Sequence, residues 1–290
     1  MVSVPVKTII IIGDPVAHSR SPLMQNAALA HLGLAAHYEL AHTPAAELPA
    51  RVAMLRDSAY LGANVTLPHK QAVIPLLDRL EDAAAQIGAV NVIYKGPDGE
   101  LVGANTDAPG LIADLALGGF TPAGQTVIIL GASGAARAAA FALAHAGAAT
   151  VVVANRTPER AEALLADLLV AITNEQGLTA TGELPPALVA LGLDDPELAE
   201  TLADCALLLN ATALGWHGDE TPLPDPPVGP QTLVYDMVYR PTRLLREAAA
   251  RGARTRDGLG MLVQQGALAF TRWTGHAAPV AVMEQALRDG

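Results

Sequence analysis

The segment from Thr126 to Ala154 constrains the fold more than any other part of the chain. Val127-Ile128-Ile129-Leu130 is an unbroken apolar run, Gly131 to Gly134 reads as a turn, and Ala135 to Ala146 as a helix. Gly147 then leads into a second apolar run, Thr150 to Ala154. A strand, a helix and a strand within about 30 residues form a βαβ unit. Strands that are apolar throughout, with no polar alternation, belong to a parallel sheet covered on both faces. A helix is expected over Glu159–Thr173, with further strands at Cys205–Asn210 and Thr232–Met237. The fold class is therefore α/β.

The first hundred residues have a different rhythm. Thr8 to Ile12 reads as a buried strand stopped by Gly13-Asp14-Pro15. Ser21-Pro22 resembles a cap followed by proline at the first helical position, and the helix should run to about Leu32 and close at Gly33. Ala63 to Thr66 is a short strand before Pro68, and Pro75 onward is expected to be helical to about Ala85. Ala89–Tyr94 and Leu101–Ala104 flank the hairpin-like turn Gly96-Pro97-Asp98-Gly99. Pro109-Gly110 punctuates the chain, and a helix is expected from Leu111. Residues 174–200 read as irregular, Asp219–Pro230, with five prolines, as an exposed connector, and 260–273 as a helix.

Composition narrows the function classes. A chain of 290 residues, 51% hydrophobic, can bury a sizeable core in two modest domains or one large one. With 3% aromatic residues, that core must be built from Ala, Val, Leu and Ile. A net charge of −11 repels phosphate backbones and anionic lipids, so neither nucleic acid nor a membrane surface is an expected partner. The single cysteine, Cys205, excludes an intrachain disulfide and a cysteine-built metal site, and its apolar neighbours read as a buried strand thiol. The isoleucine run after Lys7 is too short for a secretory signal, and no apolar stretch is long enough to span a bilayer. A cytoplasmic location is the expectation.

Gly131-Ala132-Ser133-Gly134-Ala135-Ala136 fits Gly-x-Gly-x-x-Ala with Ser133 in the place of the second glycine. It follows a strand and opens a helix, as a dinucleotide fingerprint does, and backbone N–H groups there would face a pyrophosphate. A purely structural strand-to-helix turn has the same local sequence. The second strand ends in Asn155-Arg156-Thr157, where a site for NAD usually has an acid. An arginine there can hold a 2′-phosphate, which favours NADP; it also reads as a solvated arginine.

Two polar clusters are candidates for chemistry. In Asn64-Val65-Thr66-Leu67-Pro68-His69-Lys70, alternate polar residues share one face of a strand and the proline turn sets Lys70 just beyond. In Gly103-Ala104-Asn105-Thr106-Asp107 the polar residues gather at a strand end, as they also do in ordinary turns. A lysine and an aspartate beside a hydroxyl can relay its proton while hydride leaves the carbon, each favouring the charged form of the other. Ser19 and Ser21, beside a helix start, can bind a carboxylate; Ser21 can equally be a helix cap. His18 and His69 are bystanders, since no metal-ligand spacing accompanies them, and no metal is expected.

Taken together these stretches resemble shikimate dehydrogenases over nearly the whole chain. The matching segments are Gly13–Pro22, Gly62–Lys70, Gly88–Asn91, Asn105–Asp107, Gly131–Arg137, Asn155–Thr157, Asn210–Thr212, Tyr235–Tyr239 and Asp257–Gln265, in that order. The resemblance implies reversible NADP-dependent reduction of 3-dehydroshikimate to shikimate, a step of aromatic amino-acid (chorismate) biosynthesis. It implies an N-terminal α/β substrate domain, a Rossmann-like NADP-binding domain, and a C-terminal helix returning to the first domain, with the active site in the cleft between them. The boundaries would fall at 1–110, completed by 259–290, and at 111–258. Ser19 and Ser21, helped by Tyr239, would hold the substrate carboxylate. Asn64, Thr66, Asn91, Asp107 and Gln265 would hold ring hydroxyls. Lys70 would be the acid/base with Asp107 beside it. Gly131, Ala132, Ser133, Gly134, Ala135, Asn155, Arg156 and Thr157 would bind the cofactor, and Met237 and Gly258 would line its nicotinamide end.

The chain departs from that family at Ser133, where glycine is usual and where a hydroxyl offers a donor to phosphate. It departs again at Trp216, where methionine is common, and in the short Tyr239-Arg240-Pro241-Thr242 loop. Some relatives accept quinate, and some of those use NAD, so a quinate/shikimate dehydrogenase of broader use is the alternative. A ligand sensor on the same scaffold would have no need of both Lys70 and Asp107. The expected partner is the small-molecule substrate, and the assembly a monomer or homodimer.

Overall fold

Ile9 to Ile12 form the buried centre of β1 (Lys7–Gly13) in a computed structural model that describes residues 5–173 and 185–290. The chain divides into two units, residues 1–110 with 262–290, and residues 111–261.

In the first unit β1 is followed by α1 (Ser21–His31), β2 (Ala36–His42), α2 (Leu48–Met54), β3 (Tyr60–Val65), β4 (Arg79–Leu80), α3 (Asp82–Ile87), β5 (Val92–Lys95) and β6 (Leu101–Ala104). The six strands make one sheet in the order β2-β1-β3-β5-β6-β4. β1 lies parallel to both neighbours, whereas β5 runs antiparallel to β3 and β6. Ile10, Ile12, Val65, Val73, Ile93 and Leu101 fill the core on one side. Gly33, at φ +64°, ends α1, a left-handed conformation that glycine adopts without a steric penalty.

Helix α4 (Asp107–Leu117) begins four residues earlier than the sequence suggests. Asn105 Oδ1 accepts from the N–H groups of Asp107 and Ala108 at 3.0 and 3.2 Å, which nucleates the first turn. Pro109 falls within that turn, where a missing N–H removes no intrahelical bond. Of the helix expected over 75–85, only the part from Asp82 forms. Asp78 N and Glu81 N instead donate to Leu101 O and Gly103 O at 3.0 and 2.8 Å, so pairing with β6 overrides local propensity. Only α3, starting at Asp82, is helical there apart from a single 3₁₀ turn at Ile74–Leu76.

The second unit contains β7 (Thr126–Leu130), α5 (Gly134–His145), β8 (Thr150–Asn155), α6 (Pro158–Ile172), β9 (Ala187–Gly192), α7 (Pro196–Asp204), β10 (Leu207–Asn210), β11 (Leu233–Asp236), α8 (Arg243–Ala250) and β12 (Arg254–Asp257). All six strands are parallel, in the order β12-β11-β10-β7-β8-β9. That is the doubly wound order, with the first strand central and the winding reversing between β7 and β10. α9 (Leu259–Thr274) and α10 (Val280–Asp289) complete the chain. Within the first unit α10 packs on α1, and the Arg20 guanidinium donates to the Leu287 carbonyl.

Residues 174–184 of the stretch read as irregular lie outside the described residues; the rest holds β9 and α7. Asp195 caps α7 by accepting from Glu197 N at 3.0 Å, with Pro196 at the first position. Cys205 is fully buried but sits between α7 and β10, not in a strand, and burial pushes its thiol up to about 12. The proline-rich 219–230 segment has neither helix nor strand, yet it is not wholly exposed: Val228 joins the core beneath β10 and β11.

Candidate active site

In the first unit Asn64, Lys70, Asn91, Asp107 and Gln265, singled out from separate stretches, meet along one hydrogen-bond path. The Lys70 ammonium donates to Asp107 Oδ2 at 2.5 Å. Their side chains are 11% and 8% exposed, so the pair is withdrawn from bulk water yet reachable. Lys70 leaves the turn after β3, and its carbonyl accepts from Val90 N at 2.8 Å. Asp107 stands at the first residue of α4, where the helix dipole favours a carboxylate.

Asn91 organises the other side of Asp107. Its Nδ2 donates to Asp107 Oδ1 at 2.8 Å and to Thr106 Oγ1 at 2.9 Å, and lies 3.5 Å from Gln265 Oε1. Its Oδ1 accepts from Thr106 N at 2.7 Å. The Asn91 carbonyl accepts from Asn64 Nδ2 at 3.0 Å. Gln265 Nε2 donates to its own helix at Leu262 O, 2.8 Å away. Thr66 is half-buried, and its methyl occupies the space a side chain on Gly13 would need.

Ser21 is the first residue of α1 and not its cap; Arg20 precedes it without a side-chain capping bond. The Ser21 hydroxyl lies near the Tyr38 phenol, and Ser19 Oγ accepts from Ser21 N at 3.3 Å. Tyr38, fully within the core, donates to Asn64 Oδ1 at 2.6 Å, and burial holds its phenol protonated. Tyr38 thus holds Asn64 from the core and was not among the expected site residues. Its strand, β2, lies at the sheet edge and has no clean alternation to mark it. His69 is buried, with Nε2 2.6 Å from Thr43 O, away from any metal-like cluster. No group of three or more possible metal ligands occurs among the described residues.

The second unit carries the glycine turn at the end of β7, at the point where strand order reverses. Gly131 has φ +104°, and a Cβ there would lie 2.9 Å from Thr212 Cγ2, so only glycine fits. Ser133 is the N-cap of α5: its Oγ accepts from Ala136 N at 3.2 Å and donates to Ala211 O at 2.9 Å. Its proton is therefore engaged within the protein, and the expected donation to phosphate is replaced by a brace between the β7 and β10 turns. The backbone around Ala132, Gly134 and Ala135 opens the helix, the geometry that receives an anion.

At the end of β8, Asn155 Nδ2 donates to Thr157 O at 2.9 Å, folding the turn before Pro158. Arg156 is exposed and has no hydrogen bond or ion pair among the described residues. Arg160, in the first turn of α6, is a second exposed cation in this stretch. Met237 follows β11, and a Cβ on Gly258 would run into the Met237 carbonyl, so those two backbones touch. Tyr239 packs edge-on against Trp216, with centroids 4.5 Å apart and planes at 80°.

A doubly wound parallel sheet with a glycine turn at its switch point and a free arginine after its second strand defines a dinucleotide-dependent α/β enzyme, here joined to a unit bearing a Lys–Asp pair. Three family profiles match the chain: the shikimate dehydrogenase substrate binding domain over residues 11–93, shikimate/quinate 5-dehydrogenase over 114–181, and the shikimate 5′-dehydrogenase C-terminal domain over 258–288. The shikimate dehydrogenase (NADP(+)) of Moorella thermoacetica is 47% identical over 283 residues, 96% of this chain and 92% of that protein. Shikimate 5-dehydrogenase from Thermus thermophilus, solved with NADP(H) and shikimate, superposes with a TM-score of 0.82 at 40% identity, covering 98% of this chain and 99% of the other. Quinate dehydrogenase from Corynebacterium glutamicum, solved with NAD, gives a TM-score of 0.82 at 28% identity, covering 99% and 100%. The chain belongs to the shikimate dehydrogenase family. No helix among the described residues is long and apolar enough to cross a membrane.

Proposed function

We propose that the chain catalyses the reversible NADP-dependent reduction of 3-dehydroshikimate to shikimate, with the Lys70–Asp107 pair moving the proton. The observation that carries the reading is that pair, 2.5 Å apart and nearly buried, with Asn91 and Gln265 beside it. Residues 1–110 with the C-terminal helices serve as the substrate domain, and the doubly wound unit as the NADP domain.

The residues fit the cofactor. Gly131 leaves its backbone bare, the N-terminal amides of α5 suit a pyrophosphate, and Arg156, with no carboxylate partner among the described residues, suits a 2′-phosphate. Asn155 and Thr157 shape that turn, and Met237 and Gly258 flank the nicotinamide. NADP(H) held there would supply the hydride for the substrate's carbonyl carbon or accept it from the carbinol carbon. In the direction of reduction, protonated Lys70 donates a proton to the substrate carbonyl oxygen as it becomes a hydroxyl; in the reverse direction neutral Lys70 takes it back. Asp107 holds the lysine and accepts from the same or the neighbouring hydroxyl. Ser19 and Ser21, with Tyr239, bind the carboxylate; Asn64, Thr66, Asn91 and Gln265 orient the ring hydroxyls.

The test is to supply purified protein with shikimate or quinate and with NADP⁺ or NAD⁺, following the absorbance of reduced nicotinamide. Turnover with shikimate and NADP⁺ is expected. Comparable specificity constants for both acids would make it a quinate/shikimate enzyme, and no turnover in any of the combinations would overturn the reading. The reading carries with it a cytoplasmic location, where thiols such as Cys205 stay reduced. It also carries a monomeric or homodimeric state, which sedimentation measures.

A further inference from the structure

Strand β11 ends at Asp236, and the residues after it include two of the proposed ligands, Met237 and Tyr239. The Asp236 side chain is fully buried. Its Oδ1 accepts from Asn210 Nδ2 and from Val238 N, each at 3.0 Å, and its Oδ2 accepts from Thr242 Oγ1 at 2.6 Å. The first bond ties the carboxyl to β10. The second turns the chain immediately after the strand. The third joins the two ends of the loop 236–242. Thr242 is itself buried and caps α8, accepting from Leu245 N at 3.4 Å.

The loop closed in this way is seated on its surroundings. Met237 N donates to Asn210 O at 3.1 Å, and the Met237 carbonyl is pressed against Gly258. The Thr242 methyl lies 2.9 Å from where a side chain on Gly215 would start, next to Trp216, which packs on Tyr239. Asn210 Oδ1 accepts from Thr212 N and Oγ1 at 2.9 and 2.7 Å, and Thr212 in turn abuts Gly131. A continuous set of contacts therefore runs from the glycine turn through Asn210 and Asp236 to Met237 and Tyr239.

We infer that Asp236 and Thr242 are positioning residues, which hold the loop 236–242 in one conformation and thereby place Met237 and Tyr239 for hydride transfer. The inference rests on the roles proposed above for those two residues. Asp236 acts through its neighbours, because its oxygens are taken up by three donors. Those donors favour the ionised carboxyl, while burial, with a smaller contribution from Asp257 on β12, pushes it up to about 6. Asn210, Thr242 and the Val238 amide are its neutral partners and Asp257 the charged one. Protonation near that pH removes the charge that the Thr242 hydroxyl donates to.

The experiment uses the full chain with Thr242→Val, Thr242→Ser and Asp236→Asn, each first checked for folding by thermal melting. Thr242→Val is expected to raise KM for shikimate and lower kcat, each about tenfold. NADPH affinity, read from nicotinamide fluorescence without substrate, should change less than about threefold, because only Met237 among the proposed cofactor contacts lies on the loop, while those for the phosphates, at Gly131–Ala135 and Arg156, do not. Thr242→Ser, which keeps the hydroxyl, should restore wild-type values. The wild type is expected to lose kcat/KM on acidification through about pH 6, and Asp236→Asn to lack that dependence. Wild-type kinetics in folded Thr242→Val, or a loss of NADPH affinity equal to the loss of turnover, would overturn the inference. Amide hydrogen exchange over 236–242 reads the loop without any turnover. Faster exchange there in Thr242→Val supports the clamp even if shikimate proves not to be the substrate, and unchanged exchange refutes it.

Discussion

Lys70 and Asp107, 37 positions apart in sequence, stand 2.5 Å apart in the structure, and Asn91 holds the other oxygen of the same carboxylate at 2.8 Å. The aspartate is thus fixed from both sides before any substrate arrives. Lys70→Ala removes the proton carrier and is expected to lower kcat by about 10²–10⁴-fold, with a smaller change in KM for shikimate. Steady-state kinetics checks this; a variant with near wild-type kcat removes Lys70 from the proton step.

Arg156 is exposed and stands after β8 without a partner among the described residues. Arg156→Ala should weaken NADP⁺ by about tenfold or more, the scale of a charge-assisted hydrogen bond, and leave NAD⁺ within about twofold. Binding of both nucleotides by calorimetry measures the ratio. Equal losses would show that Arg156 does not read the 2′-phosphate.

Tyr38→Phe keeps the ring in the core but removes the hydroxyl that donates to Asn64 Oδ1. A buried acceptor left one bond short costs about 1–3 kcal/mol. Because Asn64 would orient the ring hydroxyls, the loss should show as a severalfold rise in KM for shikimate, with kcat less affected. Unchanged KM in a folded variant would confine Tyr38 to packing.

The carboxyl of Asp236 is held at about 6, above its ordinary value of 3.8, by burial. The folded chain therefore binds this proton more tightly than the unfolded chain. Relative to Asp236→Asn, stability should be greatest below about pH 4 and fall by roughly 2–3 kcal/mol as pH rises through about 6. Asp78 behaves oppositely: the Arg56 guanidinium and the Leu101 amide hold it down at about 2. Its contribution is present above about pH 4 and fades as pH falls towards 2. Chemical denaturation of Asp236→Asn and Arg56→Ala across this range separates the two, and parallel curves for all three proteins would refute both assignments.

The doubly wound unit was legible where structure is local. The run 127–130, the turn at Gly131 and the helix after it depend on neighbours in sequence, and all appear where the apolar pattern puts them. Elements whose form is set by distant partners were not legible. β4 replaced an expected helix because Asp78 and Glu81 bond to β6, and β2 sits at a sheet edge where exposure erases the alternation. The same holds for the site. Lys70, Asn91 and Asp107 could be named from their motifs, but the Tyr38–Asn64 and Asn210–Asp236 bonds exist only once strands are adjacent. Ser133 shows the limit most plainly: its hydroxyl was free on paper and is used twice in the fold.

The scarcity of aromatic side chains leaves the chain with 2 tryptophans, and each unit holds one of them. Trp273 is buried, its ring N–H bonded to Ile93 O at 3.0 Å and its face tilted towards Tyr38. Trp216 is half-buried against Tyr239. The protein therefore carries a built-in pair of optical reporters, one per unit. Emission recorded during denaturation can distinguish joint from sequential melting of the units with no label attached, and a Trp216→Phe chain would glow from the first unit alone.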